Sequence, residues 1–239
     1  MTEAIILAGG LGTRLRSIVP DLPKPMASIH KRPFLEYVLD YWISQGVGRF
    51  ILSVGYRHHD IQNHFKKEYR GVELVYAVEE FPIGTGGAFL MASKQLSHKD
   101  APFLLLNGDT YFKVSLKELL EISLKANADW CFSLFESQDL TRYLGVDIDP
   151  TSKRILSFIN RGTSTLFNGG VYLIHPRVIE PIQNALITTI DGAISLENSI
   201  FKVAMCLGQN FCGLKSEGIF LDIGIPVDYE KAHKLIPSS

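Results

Sequence analysis

The stretch AIILAGGLGTRLR, residues 4–16, joins a short apolar segment to a glycine-rich turn. The apolar run at residues 4–8 is typical of a buried strand, and the glycines that follow it leave main-chain N–H groups open to a close ligand. Such a turn at the end of a first strand favours a bound phosphate. A plain tight turn explains the same glycines, so the neighbouring residues have to decide between the two.

Strand and helix patterns alternate along the rest of the first 110 residues. Apolar strands are predicted at 49–56, 72–78 and 102–109, and helices at 34–46, from Asp60 and after Gly87. Parallel strands need a crossover between them, usually a helix, so this order predicts an α/β fold with a Rossmann-like, doubly wound, mainly parallel sheet. Ligands of such sheets bind at the carboxyl ends of the strands.

The second half, after a helix at 115–127, is richer in strands, with two further helices near 176–187 and 196–206. We expect it to form an insertion that builds a pocket for a second substrate. No Pro/Ser-rich linker or internal repeat divides the chain, so a single domain is predicted over residues 1–239.

The charge balance excludes several classes of partner. The chain has 24 basic and 25 acidic residues, and a net charge of −1 gives no global field for nucleic acid or an anionic membrane. No apolar run is long enough for a signal peptide or a membrane span, which predicts a cytoplasmic protein. The three cysteines form no CxxC pair and indicate neither a disulfide framework nor a zinc site. Whether the chain forms a homo-oligomer stays open.

The glycine turn does not match the two best-known nucleotide motifs. Leu15 stands where a dinucleotide fingerprint has its third glycine, and no GK[ST] ending marks a P-loop. The turn carries Arg14 instead, whose fork of N–H donors suits phosphate oxygens. Lys24 follows between Pro23 and Pro25, which hold its backbone extended and aim its ammonium. Arg14 and Lys24 together predict a clamp for a triphosphate.

The order of the motifs resembles a known family. LAGGLGTRLR (7–16) and PKPM (23–26) are followed by GTGGA (84–88), LNGDT (106–110), NGGVY (168–172) and DIGIP (222–226). In this order and spacing the motifs are similar to those of the sugar-1-phosphate nucleotidyltransferases, and within that family to guanylyltransferases acting on heptose 1-phosphate or mannose 1-phosphate. The resemblance implies a GT-A-like fold, with residues 1–110 mainly binding the nucleotide and residues 111–239 mainly binding the sugar phosphate.

The resemblance also implies a reaction and its residues. A sugar-phosphate oxygen attacks the α-phosphorus of a nucleoside triphosphate, and pyrophosphate leaves. Asp109 and Asp222, each at the end of an apolar strand, would carry Mg²⁺, Arg14 would hold the leaving phosphates, and Lys24 would hold the α-phosphate. The implied nucleotide-binding residues are Leu7, Ala8, Gly9, Gly10, Gly12, Thr13, Arg14, Glu79, Gly84, Thr85 and Gly108.

The base preference depends on the segment VEEFPI (78–83). Family members that choose uracil or thymine have an amide at the position matching Glu79. A carboxylate can accept N1–H and N2–H₂ of guanine together, whereas uracil offers one donor between two acceptors. GTP is therefore favoured, with a solvated strand-end charge at Glu79 or Glu80 as the alternative.

The sugar half departs from the family pattern. Relatives have an Arg-Tyr-Gly turn and a Glu-Lys pair that reaches the sugar phosphate, and this chain has Arg142-Tyr143-Leu144-Gly145 and Asn160-Arg161. Arg161 can still hold phosphate, but Asn160 removes an acceptor for a sugar hydroxyl. Heptose 1-phosphate is favoured over mannose 1-phosphate or an amino-sugar phosphate. The implied sugar-phosphate residues are Gly145, Asn160, Arg161, Asn168 and Gly170, with Gly169 and Gly170 leaving room for the sugar.

Two alternatives come from other classes of function. A regulatory subunit could use the same fold to bind a nucleotide sugar without catalysis, but such a protein is expected to lose the phosphate and metal groups first. A glycosyltransferase could use a similar sheet, but that class generally has an Asp-x-Asp motif, and LNGDT lacks the first acid. Release of pyrophosphate distinguishes the enzyme from both.

Overall fold

The fold was analysed in a computed structural model. The structure describes residues 1–10, 12, 15, 18–19, 22–139, 142–159, 164–186 and 192–237. The predicted site residues Thr13, Arg14, Asn160 and Arg161 lie outside these ranges.

The described part of the chain forms strands β1 (Thr2–Leu7), β2 (Ser28–Ile29), β3 (Arg32–Pro33), β4 (Val47–Val54), β5 (Glu68–Tyr69), β6 (Val72–Val78), β7 (Phe103–Asn107), β8 (Thr110–Phe112), β9 (Trp130–Glu136), β10 (Gly145–Ile148), β11 (Ile155–Ile159), β12 (Leu166–Ile174), β13 (Phe211–Lys215) and β14 (Phe220–Asp222). The helices are α1 (Phe34–Ser44), α2 (His58–Phe65), α3 (Gly84–Ser93), α4 (Leu116–Lys125), α5 (Ile179–Leu186), α6 (Phe201–Cys206) and α7 (Pro226–Leu235). Two 3₁₀ turns (Lys24–Met26, Pro176–Val178) and a π-helical turn (Leu196–Ile200) complete the described elements.

Four parallel strands in the order β7-β1-β4-β6 form the centre of the main sheet. Ile5 in β1 is in register with Ile51 in β4 on one side and with Leu105 in β7 on the other. The predicted mainly parallel α/β sheet is thus confirmed. All four strands end at one edge, so the segments that follow them meet there.

The strands β9 to β13 of the second half extend this same sheet. β12 pairs antiparallel with β7 and also with β9 and β10, and β11 and β13 lie further out. The expected strand-rich second half is present, and β12 places it directly beside the nucleotide half.

Side-chain alternation along the central strands fills a core on each face of the sheet. Ile6 and Leu52 point to one face and pack in the cluster that contains α1, while Ile5 and Ile51 point to the other with Phe89 of α3. Strands buried on both faces explain the nearly continuous apolar runs in the sequence.

Several element boundaries differ from the sequence expectation. Helix α3 begins at Gly84, so GTGGA forms its first turn instead of preceding it, and α2 begins at His58 instead of Asp60. Asp109 lies two residues beyond the end of β7, in the turn before β8. Within the described ranges, no helix combines the length and the apolar character needed to cross a membrane.

Candidate active site

A cleft opens at the carboxyl edge of the parallel strands. It encloses a cavity of about 440 Å³ built from the glycine turn, the Lys24 turn, the β6–α3 connection and the end of β7. Its lining residues are Leu7, Ala8, Gly9, Gly10, Gly12, Lys24, Pro25, Glu79, Pro82, Gly84, Thr85, Ala88, Asn107 and Asp109. Most of the described residues predicted to bind the nucleotide therefore share one cavity.

Lys24 lies at one side of this cavity between two carboxylates. Its Nζ forms an ion pair with Asp109 and lies 3.9 Å from Oδ1 of Asp222. Pro23 is extended, and the N–H of Met26 donates to its carbonyl at 2.8 Å, which fixes the turn that carries Lys24. The side chain of Lys24 is only 10% exposed, so its charge acts with little screening by water.

The ribbon of β8 and β14 brings the two aspartates together. These strands form a separate antiparallel pair in which Asp222 is opposite Thr110, the residue after Asp109. The N–H of Ile223 donates to the carbonyl of Asp109 at 3.0 Å. More than one hundred positions apart in sequence, the two carboxylates thus meet through this short ribbon.

Arg142 orients Asp222 from the side opposite Lys24. Its Nη2 donates to Oδ2 of Asp222 at 2.9 Å, while the N–H of Gly224 donates to Oδ1 at 2.7 Å. Arg142 also forms an ion pair with Asp228 of α7. Burial and the charge of Asp109 nevertheless raise the pKa of Asp222, against the opposing effect of Lys24 and Arg142. The sequence identified the Arg-Tyr turn but did not assign Arg142 to this contact.

Glu79 forms part of the cavity wall. Its Oε1 accepts from the hydroxyl of Ser53 at 3.3 Å, and the N–H of Ile83 also donates to the carboxylate. A Cβ at Gly9 would meet Oε1, so a side chain at this position would displace the carboxylate of Glu79. Burial raises the pKa of Glu79. The carboxylate therefore faces the cavity instead of being a freely solvated strand-end charge.

Two predicted nucleotide contacts have partners within the protein. Gly108 does not line the cavity; it packs on the backbone of Leu7, to whose carbonyl its N–H donates at 2.9 Å. Thr85 does line the cavity, but its Oγ1 accepts from the N–H of Leu196 at 2.9 Å. Gly108 is thus placed to hold β1 and β7 together, and Thr85 to hold the π-helical turn beside the cleft.

The described part of the predicted sugar site lies on β10 and β12. Asn168 is 7% exposed, and its Nδ2 donates to the hydroxyl of Tyr172 at 2.7 Å and to Oε1 of Glu197 at 3.3 Å. Its Oδ1 accepts from the N–H of Gly170 at 3.1 Å. Asn168 thus lies within the wall of the cleft instead of on its open surface, and the sequence did not single out Glu197 or Tyr172.

The glycines of this wall accommodate protein atoms. A Cβ at Gly170 would lie 2.6 Å from Nδ2 of Asn107, and one at Gly169 would lie 2.5 Å from the ring of Phe112. A Cβ at Gly145 would lie 3.0 Å from the carbonyl of Ile159. Protein side chains therefore fill the space on the Cβ side of Gly169 and Gly170, and the packing of this wall itself requires glycine at both positions.

A larger cavity of about 540 Å³ has Asp222 on its wall. It contains none of the glycine-turn residues, and three of its cations are paired: Arg142 with Asp222 and Asp228, Lys215 with Glu136, and Lys231 with Asp228. The smaller cavity is the one whose wall carries the glycine turn, Lys24 and Asp109.

The donor set suits a cation shared with a substrate. No group of three or more His, Cys, Asp or Glu side chains that could hold a metal occurs among the described residues. Asp109 and Asp222 supply two hard oxygen ligands, which fits Mg²⁺, an ion that usually keeps waters and substrate phosphate oxygens beside one or two carboxylates.

Comparison with known proteins identifies the family. A family model for nucleotidyl transferases matches residues 3–239. The chain belongs to the nucleotidyl transferase family. This nucleotidyl transferase is 38% identical to the D-glycero-alpha-D-manno-heptose 1-phosphate guanylyltransferase of Aneurinibacillus thermoaerophilus, over 97% of both chains. It is 34% identical to the enzyme of the same name from Campylobacter jejuni, over 95% of this chain and 96% of that one.

The fold of this nucleotidyl transferase also matches a solved structure closely. The crystal structure of HddC from Yersinia pseudotuberculosis superposes with a TM-score of 0.83 at 34% identity, covering 99% of this chain and all of that one. The same protein has been solved in complex with GMP-PN, and that structure gives a TM-score of 0.82.

Proposed function

We propose that the chain transfers a guanylyl group from GTP to a heptose 1-phosphate, giving a GDP-sugar and pyrophosphate. The observation that carries the proposal is the position of Lys24 between Asp109 and Asp222, beside a cavity whose wall carries the carboxylate of Glu79. The two relatives named heptose 1-phosphate guanylyltransferases, similar over nearly the whole chain, support the choice of sugar.

The chemistry is one in-line displacement. An oxygen of the sugar phosphate attacks the α-phosphorus of GTP, a new P–O bond forms, and the bond from the α-phosphorus to the bridging oxygen breaks as pyrophosphate leaves. No covalent intermediate with the protein is needed. Both substrates are anionic, so catalysis consists of holding them together and neutralising the charge that develops.

Each residue has a proposed role in that neutralisation. Lys24 binds the α-phosphate region, the glycine turn gives N–H donors to the phosphates, and Arg14 holds the leaving pyrophosphate. Asp109 and Asp222 would hold Mg²⁺, which supplies positive charge to the phosphate oxygens when bound. Arg161, with Gly145, Asn160 and Asn168 nearby in the family pattern, is proposed for the sugar phosphate. Residues 1–110 would thus mainly bind the nucleotide, and residues 111–239 mainly the sugar phosphate.

The preference for guanine is proposed from Glu79. Its carboxylate can accept both N1–H and N2–H₂ of guanine, an arrangement that uracil and thymine cannot supply. Glu80, the next residue, is exposed and provides a matched control for loss of one acid.

A pyrophosphate-release screen tests the proposal. Four nucleoside triphosphates are combined with heptose, mannose, glucose and amino-sugar 1-phosphates, and we expect the highest kcat/KM for GTP with the heptose. Glu79→Gln should reduce the preference for GTP over UTP by about 10-fold or more, the scale of a lost hydrogen bond to a charged group, and Glu80→Gln should leave it unchanged. A parent enzyme that prefers UTP or dTTP contradicts the base assignment, and one that releases no pyrophosphate with any pair contradicts the reaction.

A further inference from the structure

The carboxylate of Glu197 is held beside the cleft by an element that the reaction above does not use. Glu197 belongs to the π-helical turn Leu196–Ile200, where the hydroxyl of Ser195 accepts from the N–H of Asn198 at 3.1 Å. The N–H of Leu196 donates to Thr85, which lines the nucleotide cavity. Two hydrogen bonds thus hold the turn that carries Glu197. One caps its start at Ser195, and the other joins Leu196 to Thr85 on the cavity wall.

One oxygen of the Glu197 carboxylate is held by Asn168. Oε1 accepts from Nδ2 of Asn168 at 3.3 Å, and Asn168 is itself locked by Tyr172 and by the N–H of Gly170. Tyr172 is 1% exposed and Asn168 is 7% exposed, so both lie in the wall and serve as a support. Asn168 therefore orients Glu197 with a side chain that has little freedom of its own.

The second oxygen is available to a ligand. Part of the surface of Glu197 is accessible to a ligand, and no donor among the described residues reaches its Oε2. The rest of the side chain is surrounded by protein, and this partial burial raises the pKa of the carboxyl group. A partly desolvated carboxylate whose second oxygen is not bonded to any described residue is suited to a hydroxyl donor.

The position of this acceptor relative to the reacting groups follows from strand pairing. Asn168, which donates to Glu197, lies on β12, and β12 pairs with β7, the strand that ends two residues before Asp109. A Cβ at Gly170 of β12 would lie 2.6 Å from the side-chain amide of Asn107, a residue that lines the nucleotide cavity. Asn168 thus holds Glu197 against the part of β12 that adjoins this cavity.

We propose that Glu197 is a specificity-determining residue that accepts a hydrogen bond from a hydroxyl group of the sugar. The inference deepens the proposed function and rests on it. A carboxylate at neutral pH only accepts, so it selects for a hydroxyl donor and against a sugar that lacks one at that position.

A role in helix stability alone is the competing explanation, because acidic residues in a first helical turn interact favourably with the helix dipole. Glu180 provides the matched control, since it lies in the first turn of α5, is exposed, and is on a different element. A dipole role predicts similar small losses of stability for Glu197→Gln and Glu180→Gln and no effect on the sugar.

The test measures pyrophosphate release with GTP and a series of sugar 1-phosphates, each lacking one hydroxyl. For Glu197→Gln and Glu197→Ala we expect a 10- to 100-fold lower kcat/KM for the full sugar, mainly through KM, with KM for GTP changed less than about 2-fold. For one deoxy sugar 1-phosphate, the parent and Glu197→Ala should have equal kcat/KM, because the contact is absent in both.

Three results would overturn the inference. The first is an unchanged KM for the sugar phosphate in Glu197→Gln. The second is an equal loss of kcat/KM for every sugar in the series, and the third is a loss of kcat/KM matched by Glu180→Gln. The melting temperature of each variant shows that it is folded, and the conservative Gln substitution keeps the shape of the side chain. Failure of the parent enzyme to release pyrophosphate overturns the proposed function instead, so the two failures are distinguishable.

Discussion

Replacement of Lys24 by methionine removes the cation that lies between Asp109 and Asp222. Methionine keeps an unbranched apolar side chain of similar length, so the change is mainly one of charge. Because Lys24 is only 10% exposed and extends toward the cavity, water cannot readily replace its ammonium in the transition state.

The expected loss follows from the distances. Unit charges about 4 Å apart interact by about 4 kcal/mol at an effective dielectric constant near 20, and Nζ of Lys24 lies 3.9 Å from Oδ1 of Asp222. An α-phosphate bound beside Lys24 would feel a similar attraction, of which the transition state gains a part. We therefore expect kcat to fall by about 100- to 1000-fold, which is the scale for loss of one preorganised electrostatic stabiliser.

The assay is pyrophosphate release at saturating GTP, sugar 1-phosphate and Mg²⁺. Lys117→Met is the control, because Lys117 lies on α4 with a side chain that is 86% exposed, and we expect its activity to be unchanged. The melting temperature of Lys24→Met shows whether loss of the ion pair with Asp109 disturbs the fold, while Asp222 keeps its ion pair with Arg142. A folded Lys24→Met variant within about 3-fold of the parent kcat would refute the proposed role of Lys24.

Three further predictions concern the metal, the base and the fold. Removal of divalent ions with EDTA should abolish pyrophosphate release, Mg²⁺ should restore it, and Asp109→Asn should need a higher Mg²⁺ concentration for half-maximal activity than the parent. Burial raises the pKa of Glu79, and only the ionised carboxylate can accept both guanine donors. The ratio of kcat/KM for GTP to that for UTP should therefore be highest above this pKa and should fall as the pH decreases through it. Glu3→Gln should destabilise the fold by about 3 kcal/mol in urea unfolding, because the buried Glu3 accepts from the N–H groups of Ser97 at 2.9 Å and His98 at 3.1 Å and pairs with Arg49. Burial alone would raise the pKa of Glu3, but these hydrogen-bond donors lower it below the ordinary value for a glutamate. The contribution of Glu3 to the free energy of unfolding should therefore be complete above that ordinary pKa. It should be lost as the pH falls through the lowered pKa.

The sequence by itself determined the class of fold and the parts of the nucleotide site that follow single strands. Apolar runs that alternate with helical periods can bury their side chains in only a few ways, and parallel strands end at a common edge. The glycine turn after β1 could therefore be assigned to the ligand edge of the sheet from its position, and the family resemblance added Glu79, which follows β6, to the same site. The spacing of apolar residues predicted the ends of helices less well. Helix α3 begins at Gly84, so its first turn contains the glycines that were expected to precede it.

Only the tertiary structure decided which distant groups are partners. The family resemblance implied that Asp109 and Asp222 share one metal ion, but the contact that joins them is seen only in the fold. The three-residue strand β14 pairs with β8, and no periodicity in the sequence indicates that pairing. Arg142, Asn168 and Glu197 are joined to their partners by contacts between elements far apart in the chain, and the space beside Gly170 is filled by Asn107. A sequence shows which side chains can accept, donate or carry charge. The packing of the whole chain fixes which of them are satisfied by the protein and which stay available to a substrate.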